Sequence, residues 1–245
     1  MQVIAIFGPT GVGKTGVAIE LAEMLRERGE DPVAISCDAL QVYEGLSVLT
    51  GVASAEEQAR LQHRLVGFVP VSQPFSIGDY MPLAHREIDG ALSVGRRPIV
   101  VGGTGLYLRA ALAELSLVKA PPESEDSELW SPDTRHPTAI FGLDMDRERL
   151  YERIDVRTAA IFEGGAREEV LAVENEGPSR TARVALGFDE VLSGDLARMQ
   201  QRSRNYARRQ LTWMRKVPNL RWIDRGERGD AEVAAAICEQ LPEVV

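Results

Sequence analysis

The octapeptide Gly8-Pro9-Thr10-Gly11-Val12-Gly13-Lys14-Thr15 constrains this chain more than any other feature. It has the form G-x-x-x-x-G-K-[ST], follows the apolar, β-branched run Val3–Phe7 and precedes a helical pattern. Each part of that order has a physical reason. Glycines let the backbone turn so that consecutive N–H groups face one anion. The helix that follows adds the partial positive charge of its N-terminus. Lys14 supplies a full charge, and the Thr15 hydroxyl can reach a Mg2+ that bridges two phosphates. A plain glycine turn between strand and helix would not need the lysine. The loop therefore specifies a diphosphate or triphosphate ligand and leaves the rest of that ligand open.

The remaining chain alternates in the same sense. Lys14–Arg28 reads as a helix, with Ala18, Leu21, Ala22 and Leu25 on one face and Gly29 as its stop. Pro32–Cys37 reads as a second buried strand, Leu65–Val69 as a weaker strand, and Pro98–Val101 as a strand running into Gly102-Gly103-Thr104-Gly105. The polar segment with Glu56, Glu57 and Arg60 reads as helical, and so does Pro82–Val94. Thr138–Leu143 and Leu220–Ile223 complete the strands. Arg147–Val173, interrupted at Gly164-Gly165, Leu196–Lys216 and Ala231–Leu241 complete the helices. This alternation around a phosphate loop predicts an α/β, P-loop NTPase-like three-layer fold with a mainly parallel sheet plus added helices. One domain over 1–245 is expected, with a loop region at about 115–140 and a helical segment at about 147–216. Lys119–Pro137 is rich in Pro, Ser, Glu and Asp, and reads as an exposed loop or partly disordered insert.

Composition narrows the class. With 44% hydrophobic and 27% charged residues, the chain is of the ordinary globular type. No apolar run is long enough for a membrane helix, so no membrane partner is expected. Met1 leads almost directly into Val3–Phe7 without a basic n-region, which points to the cytoplasm. Cys37 and Cys238 are too few for a disulfide framework and are expected as free thiols. His63, His85 and His136 lack metal-ligand spacing. A net charge of −9 argues mildly against nucleic acid. The average hides an asymmetry, because Arg202–Lys216 holds six basic residues and no acidic one. On a helical projection Arg202, Arg204, Arg208, Arg209, Arg215 and Lys216 share one half, and Ala207, Leu211 and Met214 the other. Asp38 follows the strand Pro32–Cys37, whereas no acid ends Pro98–Val101. Asp38 can serve as the metal-side acid of a kinase or as a base facing an acceptor.

Four blocks, in order, resemble the tRNA dimethylallyltransferase family, the isopentenyl-tRNA transferases. They are Gly8–Thr15; Ile35-Ser36-Cys37-Asp38-Ala39-Leu40-Gln41-Val42-Tyr43; Pro98–Leu108; and Ser203-Arg204-Asn205-Tyr206-Ala207-Arg208-Arg209-Gln210-Leu211-Thr212-Trp213. Weaker matches are Gln62–Leu65, Phe75–Tyr80 and Ala185-Leu186-Gly187-Phe188. The resemblance implies that Gly8, Pro9, Thr10, Gly11, Val12, Gly13, Lys14 and Thr15 hold the diphosphate of dimethylallyl diphosphate, with Thr15 on Mg2+. The dimethylallyl group would pass to the exocyclic amine of the adenine 3′-adjacent to the anticodon in tRNA. Asp38 matches the aspartate that takes the amine proton, Thr104 the threonine beside the reacting centre, and Arg204 the arginine on the diphosphate. Asp38, Ala39, Leu40, Gln41 and Thr104 match residues around the tRNA base, and Arg208 stands on the basic face offered to the anticodon stem-loop. A monomer is expected.

The match has gaps. Family members are usually longer, and the helical insertion that grips the anticodon stem-loop is missing between Leu108 and Arg147. Val52 replaces a common lysine, and Ser203 a frequent threonine. Prenyl transfer to a free adenine nucleotide, which needs no tRNA grip, is therefore an alternative. A P-loop small-molecule kinase or ATPase is another, and a degenerate binding protein a third. Joint retention of Lys14, Thr15, Asp38, Thr104 and Arg204 argues against decay.

Overall fold

All five residues of strand β1 (Val3–Phe7) are buried, because helices cover both faces of the sheet at its centre. Alternation splits the strand between two cores. Val3, Ala5 and Phe7 join one cluster, and Ile4 and Ile6 the other. The computed structural model describes residues 1–116 and 128–242. In chain order β1 is followed by α1 (Lys14–Glu27), β2 (Asp31–Ser36), α2 (Ser47–Thr50), α3 (Ala55–Arg60), β3 (His63–Arg64), α4 (Ile77–Ser93), β4 (Arg96–Gly102) and α5 (Gly105–Leu112). Then come a 3-10 turn (Glu128–Trp130), β5 (Thr138–Asp144), α6 (Arg147–Glu163), α7 (Ala166–Glu176), α8 (Arg180–Arg183), α9 (Phe188–Ser193), α10 (Leu196–Met214), β6 (Leu220–Asp224) and α11 (Asp230–Cys238).

The strands pair in the order β3-β2-β4-β1-β5-β6, and every pairing is parallel. Ile4 stands beside Ile99 on one side and Ala139 on the other, so β1 is the central strand. α1 and α11 pack on the face of Ile4 and Ile6; α4 and α5 pack on the face of Phe7. This is the three-layer, P-loop NTPase-like α/β arrangement. Its consequence for function is that all strand carboxyl ends share one edge, where the phosphate loop, Asp38 and the Gly102–Thr104 turn emerge together.

Several boundaries differ from the sequence reading. The strand expected at Leu65–Val69 does not form. β3 stops at Arg64 because Leu65 adopts φ 61° and Gly67 φ 56°, leaving one parallel bridge between Tyr43 and Val69. α4 begins at Ile77, before Pro82, because Ser76 and Asp79 form a reciprocal capping box. Residues 117–127 of the expected insert lie outside the described residues, but the part that follows is ordered against the body. Arg109, fully buried on α5, donates Nε to the Leu129 carbonyl at 2.9 Å and Nη2 to that of Ser131 at 2.8 Å. Arg135 donates its amide to Leu112 O at 2.8 Å and pairs with Asp89 and Glu114. A buried guanidinium with several carbonyl acceptors outweighs the poor core-forming composition of that stretch. Both cysteines are buried free thiols.

Candidate active site

The phosphate loop joins β1 to α1 with Gly11 at φ 82° and Gly13 at φ 93°, a region that only glycine enters at little cost. No side chain caps α1, and its first turn holds no acid, so its N–H groups remain available to an anion. The Lys14 Nζ donates to the Pro9 carbonyl at 2.9 Å, which folds the side chain back over the loop. Burial and then the Arg157 guanidinium lower the Lys14 pKa from 10.5 to about 8, with Asp38 opposing. An anion held here meets a poorly solvated cation.

A cleft of about 440 Å³ opens at this edge. Thr10, Gly11, Gly13, Lys14 and Thr15 line it from the loop, and Asp38, Leu40 and Gln41 from the end of β2. Lys14 and Asp38 therefore share one cavity. Asp38 Oδ1 accepts the Leu40 amide at 3.0 Å, which fixes the carboxylate. Gln41 accepts from Ser36 Oγ at 3.0 Å and donates to the Gly51 carbonyl at 3.1 Å, so its amide ties the β2 end to the loop after α2. The Thr104 hydroxyl lies 3.4 Å from the Ala39 amide and 3.3 Å from the Tyr206 hydroxyl. Tyr206 lines the cleft, and its phenol is pushed up to about 12 by burial and then by Asp38. Gly8, Pro9 and Val12 do not line the cleft; Val12 belongs to the core beneath it.

Two arginines of α10 do not line the cleft. Arg204 donates both bonds of Nη1 to Asp155, at 2.6 and 2.7 Å, and does not line the cleft. Arg208 is exposed and bonds Asn205 at 2.5 Å. The cation that does face Lys14 and Asp38 is Arg157 on α6, its pKa lowered by burial. Arg157 stands among Ile154, Thr158 and Ile161 on the inward stripe of α6, so an arginine on an apolar face was its signal. Gln210 is the other residue that sequence reasoning passed over. It is buried, accepts the Thr10 amide at 2.8 Å and donates to Gly103 O at 2.9 Å, joining the phosphate loop to the β4–α5 turn. Its signal was a polar residue in the buried stripe Ser203, Ala207, Gln210, Met214.

From outside, Arg153 Nε donates to Gly11 O at 2.9 Å and Arg225 Nη1 to Val12 O at 3.0 Å. Arg225 is nearly fully buried and pairs with Asp230 at 2.5 Å. These bonds engage the Gly11 and Val12 carbonyl oxygens, so that neither is left as a free acceptor facing an anion.

Comparison with known proteins decides what this edge belongs to. The family described as IPP transferase matches residues 41–133 and 119–217, and the one described as isopentenyl transferase matches residues 1–66. A tRNA dimethylallyltransferase of Rhodospirillum centenum is 34% identical, the match covering 96% of each chain. This chain belongs to the tRNA dimethylallyltransferase family. A tRNA dimethylallyltransferase of Koribacter versatilis is 32% identical, covering 96% of this chain and 95% of that one. Both alignments run over 305 positions, more than this chain has residues, so those family members carry segments without a counterpart here. The full-length tRNA isopentenylpyrophosphate transferase of Bacillus halodurans superposes with a TM-score of 0.82 at 26% identity, over 97% of this chain and 96% of that one. The corresponding Staphylococcus epidermidis protein, 23% identical with a TM-score of 0.80, shares the fold. Among the described residues no helix is long and apolar enough to cross a membrane.

Proposed function

We propose that this chain transfers a dimethylallyl group from dimethylallyl diphosphate to the exocyclic amine of the adenine 3′-adjacent to the anticodon in tRNA. The observation that carries the reading is the shared cleft. The phosphate loop with Lys14 lies on one side and the Asp38 carboxylate on the other, at one sheet edge. In the reaction the bond from the allylic carbon to the diphosphate oxygen breaks, and a bond from the adenine nitrogen to that carbon forms. Negative charge collects on the leaving diphosphate. Loop N–H groups, Lys14 and Arg157 stabilise it where it develops. Asp38 accepts the proton that the amine loses, while the Leu40 amide holds one carboxylate oxygen in place. Thr104 and Ala39 do not themselves line the cleft; Thr104 is held beside Ala39 by Tyr206, which does.

Arg157 takes the part that the resemblance gives to Arg204, because Arg204 is neutralised by Asp155. Among the described residues no group of three His, Cys, Asp or Glu side chains could hold a metal by itself. Thr15 offers its hydroxyl to the same cleft. A single hydroxyl fits Mg2+, which keeps much of its water and takes substrate phosphate oxygens. Bound at Thr15, it would supply further charge to the leaving diphosphate.

The test is transfer of label from dimethylallyl diphosphate to tRNA, AMP and ATP in parallel. Incorporation into tRNA alone is expected. Incorporation into a mononucleotide alone would move the acceptor to a free adenine nucleotide, and ATP hydrolysis without prenyl transfer would restore the kinase reading.

A further inference from the structure

Two guanidinium groups reach the phosphate loop from outside the cleft, and they hold two different peptide units. Arg153 on α6 donates to Gly11 O at 2.9 Å, and Arg225 donates to Val12 O at 3.0 Å. A trans peptide is planar, with its N–H pointing opposite to its C=O. Fixing Gly11 O therefore fixes the Val12 N–H, and fixing Val12 O fixes the Gly13 N–H. The Val12 N–H turns back to Pro9 O at 3.4 Å, so the first of these peptides closes the loop on itself. The second differs. Gly13 lines the cleft, whereas Val12 and Arg225 do not. The N–H opposite the Arg225 bond is therefore the one on the ligand side.

Arg225 is itself held on several sides. It is the first residue after β6, its amide donates to Asp144 O at 2.7 Å, and its side chain is buried. Its second terminal nitrogen, Nη2, pairs with Asp230 Oδ1 at 2.5 Å. Asp230 is the first residue of α11, which packs on α1, the helix that the loop opens. A Cβ on Gly13 would run into the Arg225 guanidinium, and one on Gly16 into the Asp230 carboxylate. The pair thus lies against the backbone of both the loop and the first turn of α1. Burial and then Arg225 lower the Arg153 pKa, with Asp230 opposing, so Asp230 is the charge that lets two guanidinium groups crowd behind one loop. A glycine-rich loop needs such a brace. Gly11 at φ 82° and Gly13 at φ 93° give it its turn. The same freedom lets Gly13 accept a reversed Val12–Gly13 peptide, which would present a carbonyl oxygen to an anion. Arg225 opposes that reversal, because Val12 O would give up a buried donor.

We propose that Arg225, held by Asp230, is a positioning residue for the donor site: it locks the Val12–Gly13 peptide so that the Gly13 N–H meets the diphosphate. The turn between β6 and α11, more than two hundred residues along the chain from the loop, thereby becomes part of the phosphate site. The inference rests on the reading above only in taking a diphosphate as the ligand of the loop.

The experiment titrates the full, isotope-labelled chain with inorganic pyrophosphate and Mg2+, reading affinity by calorimetry and the Gly13 amide by NMR. In the wild type the Gly13 amide proton should move downfield as pyrophosphate binds. Arg225→Met/Asp230→Asn removes one positive and one negative charge together, so net charge is kept and no carboxylate is left without its partner. It should bind pyrophosphate about 10–100-fold more weakly, the worth of one hydrogen bond to a charged acceptor. At saturation its Gly13 amide should stay in place, with circular dichroism native-like. Should this variant not fold, Arg225→Gln, too short to reach Val12 O, takes its place with the same expectations. Asp230→Asn keeps an acceptor for Arg225 and takes a negative charge from the cleft lining, so it should bind pyrophosphate at least as tightly as wild type and keep the Gly13 shift. A wild-type Gly13 amide that does not move on binding, or wild-type affinity without Arg225, overturns the lock and leaves prenyl transfer standing. A loss in Asp230→Asn as large as that of the double variant overturns it equally. If the wild type binds pyrophosphate with the Gly13 shift, the variants behave as stated, and no prenyl group is transferred, the prenyl reading falls while the lock stands. A wild-type chain that does not bind pyrophosphate overturns both.

Discussion

Lys14 titrates where an enzyme assay can follow it. Burial and the Arg157 guanidinium bring its pKa from 10.5 to about 8, and a bound diphosphate outweighs both by placing negative charge beside the ammonium. Donor binding should therefore be coupled to proton uptake. At pH 8 about half of the free protein carries a neutral Lys14, so binding takes up about half a proton; at pH 9 it takes up about 0.9. The donor diphosphate is itself fully ionised by then. Other groups around the cleft titrate elsewhere. Tyr206 is pushed up to about 12, the buried Cys37 thiol rises further, and His63 is lowered from 6.5. kcat/KM for dimethylallyl diphosphate should fall about tenfold per pH unit above about 8, and Lys14→Arg should remove that limb because a guanidinium stays charged. Stability supplies an independent reading. The folded pKa lies below the unfolded one, so Lys14 costs stability below about pH 8, and the cost fades as pH rises to 10.5. At about 1.4 kcal/mol per pH unit the full cost approaches about 3 kcal/mol. The side chain opens onto the cleft, and water there reduces this to about 1–2 kcal/mol. Lys14→Met should thus melt about 2–8 °C higher than wild type at pH 7, with the gap closing near pH 10.5. Calorimetric titrations in buffers of different ionisation enthalpy give the proton uptake, and thermal melts against pH give the stability. A flat kcat/KM up to pH 10, or binding at pH 9 without proton uptake, would refute the reasoning.

Asp38→Asn should keep donor affinity within about threefold and lower kcat by two orders of magnitude or more, since the amide cannot take the proton. Collapse of donor binding, read by titration with the diphosphate, would place Asp38 on the metal instead. Gln210→Leu leaves the Thr10 amide and the Gly103 carbonyl without their shared partner, at about 1–3 kcal/mol each. A melting point lowered by about 4–24 °C and weaker diphosphate binding are expected, and an unchanged melting point speaks against the bridge. Gly13→Ala puts a Cβ at φ 93° and into the Arg225 guanidinium, so a strain of about 1–2 kcal/mol adds to displacement of the bond to Val12 O. Diphosphate binding should be lost while circular dichroism stays native-like; retained binding would show that the loop tolerates another path.

The phosphate loop was legible in the sequence because its function needs residue types in a fixed local order: glycines for the turn, a lysine at the helix start, an apolar strand before. β1, β4 and β5 were legible for a related reason. Strands buried on both faces must be continuously apolar, and a short apolar run needs no distant information. Asp38 could be placed beside the loop because parallel strands deliver their carboxyl ends to one edge. Charge pairing across the chain could not be read in this way. Arg202 and Arg204 look like Arg208 and Arg215 on a helical wheel, yet Glu190 and Asp155 neutralise the first two and leave the others exposed. Gln210 and Arg157 showed only as polar residues on apolar stripes, and their purpose appears once Thr10 and Lys14 are seen beside them. The chain beyond Glu128 read as loop because its composition supports no core, whereas buried Arg109, far along the sequence, supplies the bonds that order it. Local sequence determined what must turn, twist and hold phosphate. Only the tertiary structure decided which charges remain free to act, because a charge is free or compensated according to neighbours that the chain brings together over many residues.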